Sequence, residues 1–211
     1  MAHGKPVEKA SRKRMRGLDR KDQIARVASA LFAKKGFKGT TTREIAEKAG
    51  ISEAIIFRHF SKKADIYRAI IRHCCEDGQG GSRLIKALHG KTGKAVFTAL
   101  AVFLLKEHRK DHTFLRLFTY SALERHPLSD IFIRTMGIEL VGFLKAHIRG
   151  LVKNGVFRPV DPEIAARAFL GMVIHYVMAQ ELYGFKKYYK KPDSKVVNTF
   201  VGIFYNGLRP L

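Results

Sequence analysis

Apolar residues recur along this chain at the spacing of helices. After Asp19 they stand three or four positions apart and so share one helical face: Ile24, Val27, Ala28, Leu31 and Phe32. Gly36 and Gly39 end this pattern, so we predict a helix from Asp19 to about Gly36. No segment alternates apolar and polar residues over any length. The pattern therefore predicts an all-α protein.

Two short helices follow the first one. Thr41 and Glu44 have the spacing of a capping box, in which each side chain satisfies the other residue's backbone N–H. The helix that begins there stops at Gly50, and Ser52 can cap the next one, which runs to Phe60. This order predicts a helix-turn-helix, whose second helix enters the major groove of DNA. The alternative is a helical hairpin that serves only packing.

A glycine-rich stretch divides the chain. A fourth helix is predicted from Ser61 or Lys62 to about Cys75, and five glycines follow between residues 78 and 93. Beyond them the pattern predicts helices over residues 94–109, 113–125, 129–153, 162–183 and 194–208. The predicted organisation is a flexible basic arm at 1–18, a helix-turn-helix domain at 19–60, a connecting helix at 61–77 and an all-α C-terminal domain at 78–211.

Charge narrows the choice of partners. The chain has 40 lysine and arginine residues against 18 acidic residues, a net charge of +22, which attracts nucleic acid, an anionic membrane or an acidic protein. The longest uncharged apolar stretch, residues 95–105, is shorter than the roughly 20 residues of a membrane helix. The only two cysteines, Cys74 and Cys75, are adjacent and suit a reducing compartment. We expect a cytoplasmic protein without a membrane segment.

The second helix of the predicted helix-turn-helix has an unusual outer face. Ile56 and Phe60 lie one turn apart and can both face the core. The positions left outside are Glu53, Ala54, Ile55, Phe57, Arg58 and His59. An exposed Ile and Phe on so short a helix suit thymine methyl groups, sugar edges and the DNA backbone better than water.

Two sequence segments are specific enough to show a resemblance. The segment from Gly39 to Ser52 reads GTTTREIAEKAGIS, and residues 56–60 read IFRHF, with Lys63 following. Together they closely resemble the TetR family of bacterial transcriptional regulators. The match covers about residues 20–70, and the rest of the chain is similar to the family only in length and helical layout.

The resemblance implies a cytoplasmic homodimer that binds a palindromic double-stranded DNA operator, usually represses transcription and is released by a small ligand. It assigns base reading to Glu53, Ala54 and Ile55. Phe57 stands where the family usually has Tyr, so it keeps the apolar contact and loses a hydroxyl donor to phosphate. The DNA-contacting residues that the resemblance implies are Thr41, Thr42, Arg43, Glu53, Ala54, Ile55, Phe57, Arg58, His59 and Lys63.

The last two predicted helices carry apolar residues on opposite faces, which is more than one core requires. Helices of this kind at the end of a chain suggest a partner, and the resembled family dimerises through a four-helix bundle. The expected interface residues are Phe169, Ile174, Val177, Val197, Phe200, Val201 and Phe204. The alternative is that these residues are buried within one subunit.

The C-terminal domain offers candidates for a ligand cavity. They combine aromatic bulk with a few polar groups, as ligand pockets do: Phe103, Phe118, Phe143, His147, Met172, His175 and Tyr176. For each residue, ordinary core packing is the alternative role. The lysine- and tyrosine-rich run at 186–191 looks like a nucleic-acid stripe. In the resembled fold it is far from DNA, and we expect a solvated loop.

Other classes of protein fit less well. The sequence has no zinc-spaced Cys/His cluster, no glycine-rich phosphate loop and no nucleophile motif. We therefore expect neither a cofactor nor a metal, and no enzymatic activity. A sequence-tolerant architectural DNA-binding protein without an effector remains the alternative function.

Overall fold

The computed structural model describes residues 6–75, 84 and 86–210, with side chains from residue 20 onward other than those of 71–75, 128 and 135. The described residues form helices joined by turns and contain no strand, as the hydrophobic pattern predicts. In chain order the helices are α1 (Pro6–Lys35), α2 (Thr42–Ala49), α3 (Glu53–His59), α4 (Lys63–Cys75), α5 (Lys94–Lys110), α6 (Thr113–Leu123), α7 (Pro127–Phe132), α8 (Ile138–Lys153), α9 (Pro162–Glu181) and α10 (Asp193–Gly207).

The first helix begins well before the predicted start at Asp19. It starts at Pro6, where the missing N–H costs nothing because the first turn of a helix has no partner for it. The lysines and arginines that follow are good helix formers, and only Gly17 opposes them. Residues 6–18, predicted as a flexible arm, therefore continue α1. The described part of the chain does not include residues 1–5 or three glycines of the predicted break, Gly78, Gly80 and Gly81. It also leaves out the side chains of Cys74 and Cys75.

The helix predicted over 129–153 is divided. Pro127 occupies the first turn of α7, two residues before the predicted start at residue 129. A single π-helical turn, Ile133–Gly137, then joins α7 to α8. Such turns insert one residue into the helical ladder and are frequent at functional sites.

The N-terminal domain is built from α1 to α4, and its core extends into the next domain. The buried residues include Phe32 of α1, Ile56 of α3 and Tyr67 of α4. Leu117 of α6 is fully buried in this same core, and Phe114 packs against it. Helix α6 therefore belongs to the C-terminal domain by sequence but is packed against the N-terminal one.

The C-terminal domain is organised around α5, which runs antiparallel to α10. Phe97, near the start of α5, lies 6.1 Å from Tyr205 near the end of α10, measured between ring centroids. At the other end of α5, Arg109 pairs with Asp193 at the start of α10, with 2.5 Å between Nη2 and Oδ1. Helix α9 packs along α8 and α5. These contacts place the end of α5 beside the start of α10.

Candidate functional site

The capping box predicted at the start of α2 is confirmed. The Thr41 hydroxyl accepts the backbone N–H of Glu44 (3.1 Å), and the Glu44 carboxylate accepts the backbone N–H of Thr41 (2.9 Å). Lys35 of α1 forms an ion pair with Glu44. The hydrogen bonds from Lys35 and from the Thr41 backbone lower the pKa of Glu44. The first turn of α2 is thereby fixed to the end of α1.

The turn between α2 and α3 depends on one glycine. Gly50 has a φ of +65°, in the left-handed region that side chains rarely adopt. Its N–H and that of Ile51 bond to carbonyl groups at the end of α2, at 3.2 and 3.0 Å. This closes α2 and lets α3 begin at Glu53, four residues after α2 ends.

Ser52 precedes α3 as predicted, but its hydroxyl makes no capping hydrogen bond. Instead, the Thr42 hydroxyl donates to the carboxylate of Glu53. This bond joins the first turn of α2 to the first turn of α3. Two residues that the resemblance assigns to DNA therefore also hold the two helices of the motif together.

The outer face of α3 is exposed as the spacing of its apolar residues predicts. Ile56 and Phe60 are buried, whereas half of the Phe57 surface is accessible (50%). Ala54 and Arg58 are exposed, and Glu53, Ile55 and His59 are partly exposed. Arg43, on the exposed side of α2, lies 3.2 Å from Glu47 and remains mostly accessible.

Positive charge surrounds the end of α3. Burial lowers the pKa of His59, and the nearby charges of Lys21, Arg58 and Arg20 lower it further. The Lys21 ammonium also lies 5.9 Å from the centre of the Phe60 ring. Basic residues of α1 thus stand beside the helix that would read DNA, where they favour an approaching polyanion.

Lys63, which the resemblance places in contact with DNA, has partners within the protein. Its Nζ donates to the carbonyl oxygens of Phe37 and Thr40, each at 2.7 Å. It also lies 4.3 Å from the centre of the Phe37 ring. Burial lowers the pKa of Lys63. The structure therefore uses this ammonium to hold the turn that leads into α2.

Helix α6 makes a second set of contacts with the same turn, which the sequence analysis missed. Arg116 Nε donates to the carbonyl of Ala33 (2.6 Å), and the Tyr120 hydroxyl donates to that of Lys34 (3.2 Å). Glu124 accepts the backbone N–H of Lys38 at 3.3 Å. The partners are more than 80 residues apart in the sequence, so no local spacing could reveal them.

Gly36 is required where α1 meets Glu124. Its φ is +76°, and a Cβ added there would lie 2.5 Å from Glu124 Oε1 and 3.0 Å from Tyr120. Beside it, the His126 ring lies 4.4 Å from that of Phe37. Burial lowers the pKa of His126. The end of α1, the turn and the end of α6 are therefore packed as one unit.

The residues predicted for a ligand cavity pack against different neighbours in the C-terminal domain. Phe118 packs on Phe132 (5.0 Å between ring centroids), and His147 Nε2 lies 3.1 Å from the carbonyl of Gly93. Tyr176 packs on Phe200. Phe103 and Met172 flank the domain core, and His175 is exposed. These contacts are ordinary packing, which is the alternative role, and a cavity shared by this set stays a prediction.

A different cavity, of about 350 Å³, lies between the segment around residues 84–91 and the junction of the π-helical turn with α8. Of the predicted residues only Phe143 reaches it. Its walls are mainly apolar, and His89, Lys91 and Glu139 supply charged or polar groups. A larger cleft of about 770 Å³ separates α1 and α4 from the junction of α5 and α6 and has acidic and basic residues on its walls.

Most residues predicted for a dimer interface are buried within the protomer. Phe169, Val177, Val197, Val201 and Phe204 are at most 7% exposed, so the prediction is wrong for these five. The alternative, burial within one subunit, is correct for them because α5 covers the inner faces of α9 and α10. Ile174 remains exposed and Phe200 partly exposed.

The outer faces of α9 and α10 carry other apolar and small residues. Ile203 is 62% exposed and Ile174 is 36% exposed. Ala168 and Gly171 are exposed on α9, and Gly202 is partly exposed on α10. Small residues at such positions allow another helix to approach closely.

The described residues contain no group of three or more His, Cys, Asp or Glu side chains that could hold a metal ion. No helix among them is both long enough and apolar enough to cross a membrane.

Comparisons with known proteins agree with the helix-turn-helix geometry. Residues 24–70 match the family of bacterial regulatory proteins described as the tetR family, and residues 91–207 match the C-terminal domain described as AefR-like transcriptional repressor. The transcriptional repressor KstR2 of Mycolicibacterium smegmatis is 33% identical over 150 residues, which cover 70% of this chain and 73% of that protein. YvkB of Bacillus subtilis, a transcriptional regulator of the helix-turn-helix type, is 27% identical over 191 residues, or 88% and 95% of the two chains.

Solved structures show the same fold. AibR, crystallised with isovaleryl coenzyme A and operator DNA, superposes with a TM-score of 0.69 at 22% identity, covering 88% of this chain and 98% of its own. KstR2 of Mycobacterium tuberculosis gives a TM-score of 0.69 at 18% identity, covering 91% and 96%. The matches to both domains and the shared fold show that this chain belongs to the TetR family of DNA-binding transcriptional regulators.

Proposed function

We propose that this protein is a repressor that binds a palindromic operator as a homodimer and is released by a small, mainly apolar ligand. The observation that carries the proposal is the outer face of α3. It combines an exposed Phe57 and Arg58 with a helix whose inner side is fixed by Ile56 and Phe60. A helix of seven residues held this way presents its N-terminal side chains to base edges in the major groove.

The contacts within the motif support recognition of one DNA geometry. The capping box, the Gly50 turn and the bond between Thr42 and Glu53 leave α2 and α3 little freedom relative to each other. On operator binding, Thr41, Thr42 and Arg43 would meet the sugar–phosphate backbone, and Glu53, Ala54 and Ile55 would meet the bases. Contacts with the backbone position the protein on the duplex, and contacts with the bases select the DNA sequence.

A homodimer accounts for the exposed faces of α9 and α10. A second copy packed on Ala168, Gly171, Ile174 and Ile203 would cover apolar surface that the protomer leaves open. Such an interface is two-fold symmetric, since the same two helices face each other from both copies. Two-fold symmetry in the protein requires a palindrome in the operator.

The cavity next to α8 is the proposed ligand site. Its volume of about 350 Å³ suits a small molecule, and Leu88, Leu140 and Phe143 supply apolar walls. AibR was crystallised with an acyl thioester, isovaleryl coenzyme A. By analogy we propose a short apolar acyl group in the cavity, with Lys91 and His89 near its polar end. A ligand releases DNA only if it binds the non-binding geometry more tightly than the DNA-bound one.

A second candidate function is a sequence-tolerant architectural role. The observation that favours it is the positive charge over the whole chain, because residues 78–211 hold 21 basic residues against 9 acidic ones. Such a field gives affinity for any duplex and a steep dependence on salt.

Selection of bound duplexes from a random pool separates the two candidates. The proposal predicts a palindromic consensus whose half-sites are centred about 34–36 Å apart, or a multiple of that distance. Recovery of duplexes without a consensus would instead support the architectural role. The selected duplex then allows a screen for compounds that lower its affinity for the protein.

A further inference from the structure

The loop between α9 and α10 concentrates cations and aromatic rings at the surface. We call residues 184–191, which read GFKKYYKK, the lysine–tyrosine loop. Tyr188 and Tyr189 are 79% and 65% exposed, and Phe185 stacks on Tyr189 with 6.0 Å between ring centroids. A short 3₁₀ helix, Phe185–Lys187, shapes the loop. The loop has four lysines and no acidic residue.

Three of these lysines carry charge that no described acidic side chain offsets. Lys186 is the exception, since its Nζ lies 3.0 Å from the carboxylate of Glu181. Lys187, Lys190 and Lys191 are exposed and form no ion pair within the described part of the chain. A group of unpaired cations with tyrosine hydroxyls beside them is suited to a phosphate backbone, which accepts hydrogen bonds from both.

The packing places this loop at the end of the C-terminal domain that adjoins the N-terminal domain. The loop leads directly into Asp193, which pairs with Arg109 in the last turn of α5. Asp111, two residues after Arg109, lines the cleft described above. The other walls of that cleft include Lys21 and His59 of the N-terminal domain. The lysine–tyrosine loop therefore lies near the end of α5 that adjoins the N-terminal domain.

The loop also joins the two helices whose outer faces we propose as the dimer interface. In a two-fold dimer built on those faces, the loops of both protomers lie close to the symmetry axis. The two recognition helices lie on either side of that axis, one in each half-site. The paired loops would then stand opposite the stretch of DNA between the half-sites.

We propose that the lysine–tyrosine loop is a second DNA-binding element, which contacts the sugar–phosphate backbone between the half-sites without reading sequence. The proposal rests on the proposed operator binding. It is an alternative to the expectation of a solvated loop far from DNA, and it is motivated by the position of the end of α5 beside the N-terminal domain. An anionic membrane surface would attract the same residues, but the loop's position beside the DNA-binding domain favours DNA.

The test compares two triple variants with the same loss of charge. In the loop variant, Lys187, Lys190 and Lys191 are each changed to Gln. In the control variant, Lys94, Lys153 and Arg209 are changed to Gln; all three are exposed and lie toward the opposite end of the C-terminal domain. Circular dichroism melting checks that both variants fold. Fluorescence anisotropy then gives affinity against salt concentration for the selected duplex and for an unrelated duplex of equal length.

We expect the loop variant to lose slope in the plot of log affinity against log salt, by about 0.9 for each lysine that contacts phosphate and up to about 2.7 in all. Affinity should fall by the same factor on both duplexes, and the control variant should keep the wild-type slope. Changing Tyr188 and Tyr189 to Phe should weaken binding and leave the slope unchanged.

Three results would overturn the proposal. A loop variant with the wild-type slope would show that the loop does not touch DNA, although operator binding would stand. Equal losses in the loop and control variants would show an effect of net charge alone. Wild-type binding to vesicles with 30% anionic lipid, lost in the loop variant while the DNA slope is kept, would assign the loop to a membrane. Failure of the wild-type protein to select any duplex would instead overturn the proposed function.

Discussion

Lys63 holds the turn between α1 and α2 from within the protein. Its ammonium group joins two backbone carbonyls of the turn between α1 and α2, and the ring of Phe37 lies beside it. Hydrogen bonds from a charged donor are stronger than neutral ones. We therefore expect this side chain to act on affinity through the position of α2.

Changing Lys63 to Gln should destabilise the protein by about 1–2 kcal/mol, because two charge-assisted hydrogen bonds to a partly exposed group are lost. Affinity for DNA should fall while the dependence of affinity on salt stays unchanged. Arg58→Gln is the matched comparison, since Arg58 is exposed on the outer face of α3. It should lower the salt slope by about 0.9 and leave urea unfolding unaltered. A salt slope that falls by about 0.9 in Lys63→Gln, with unchanged stability, would show a direct phosphate contact.

His126 should make stability depend on pH. Burial lowers its folded pKa, an effect strengthened by Lys63 and Arg68 and opposed by Glu124. The unfolded chain therefore binds a proton more readily than the folded one, so the unfolding free energy falls as the pH drops below about 6.5 and through the lower folded pKa.

Replacing His126 with Phe keeps a ring against Phe37 and removes the titrating group. We expect a smaller loss of unfolding free energy between pH 7 and pH 5 than in the wild type, measured by urea denaturation. His175→Gln, at an exposed position, serves as the control. If His126→Phe and the wild type lose equal stability over this range, the ring does not titrate as described.

Among the elements, α6 makes contacts with both domains. Its side chains bond to the last carbonyls of α1 and to the turn that follows, and Leu117 enters the core of the N-terminal domain. Movement of α6 would therefore displace the end of α1 and the start of α2 together. If the proposed ligand moves α6, the end of α1 offers a route to the helix-turn-helix besides the one through α4.

Removing the carboxylate of Glu124 tests this connection. Glu124→Ala leaves the backbone N–H of Lys38 without its acceptor, so we expect its hydrogen exchange to quicken by about 5- to 30-fold, corresponding to about 1–2 kcal/mol. Exchange within α8 should not change. Arg149→Ala, an exposed position on α8, should leave the Lys38 amide as in the wild type. Unchanged exchange at Lys38 in Glu124→Ala would mean that the carboxylate does not hold the turn.

The elements also show which features a sequence can predict. The capping box was readable because Thr41 and Glu44 lie three residues apart, and the hydrogen bonds they form are local. The contact between Glu124 and Lys38 joins residues 86 positions apart, which spacing cannot reveal. On α10 the sequence predicts Val201, and not Ile203, for the dimer interface. Only the position of α5 decides that Val201 faces inward and Ile203 outward.

At the scale of the whole molecule, the difference between inward-facing and outward-facing residues predicts how an added charge affects dimer formation. Ile174→Glu and Ile203→Glu place carboxylates on the proposed dimer face, where burial of an unpaired charge is costly. We expect each to raise the dimer dissociation constant at least tenfold, measured by sedimentation equilibrium, with the protomer still folded. Val201→Glu, at a residue 1% exposed, should unfold the protein instead. A folded monomeric wild type at micromolar concentration would remove the dimer from the account.

The central claim is that two protomers bind one palindromic duplex together, and native mass spectrometry of the selected duplex tests it most directly. We predict a complex of two protomers with one full-length duplex. A duplex cut to a single half-site should bind at least a hundredfold more weakly, because only one recognition helix can then engage. One protomer on the full duplex, or equal affinity for the half-site, would contradict the claim.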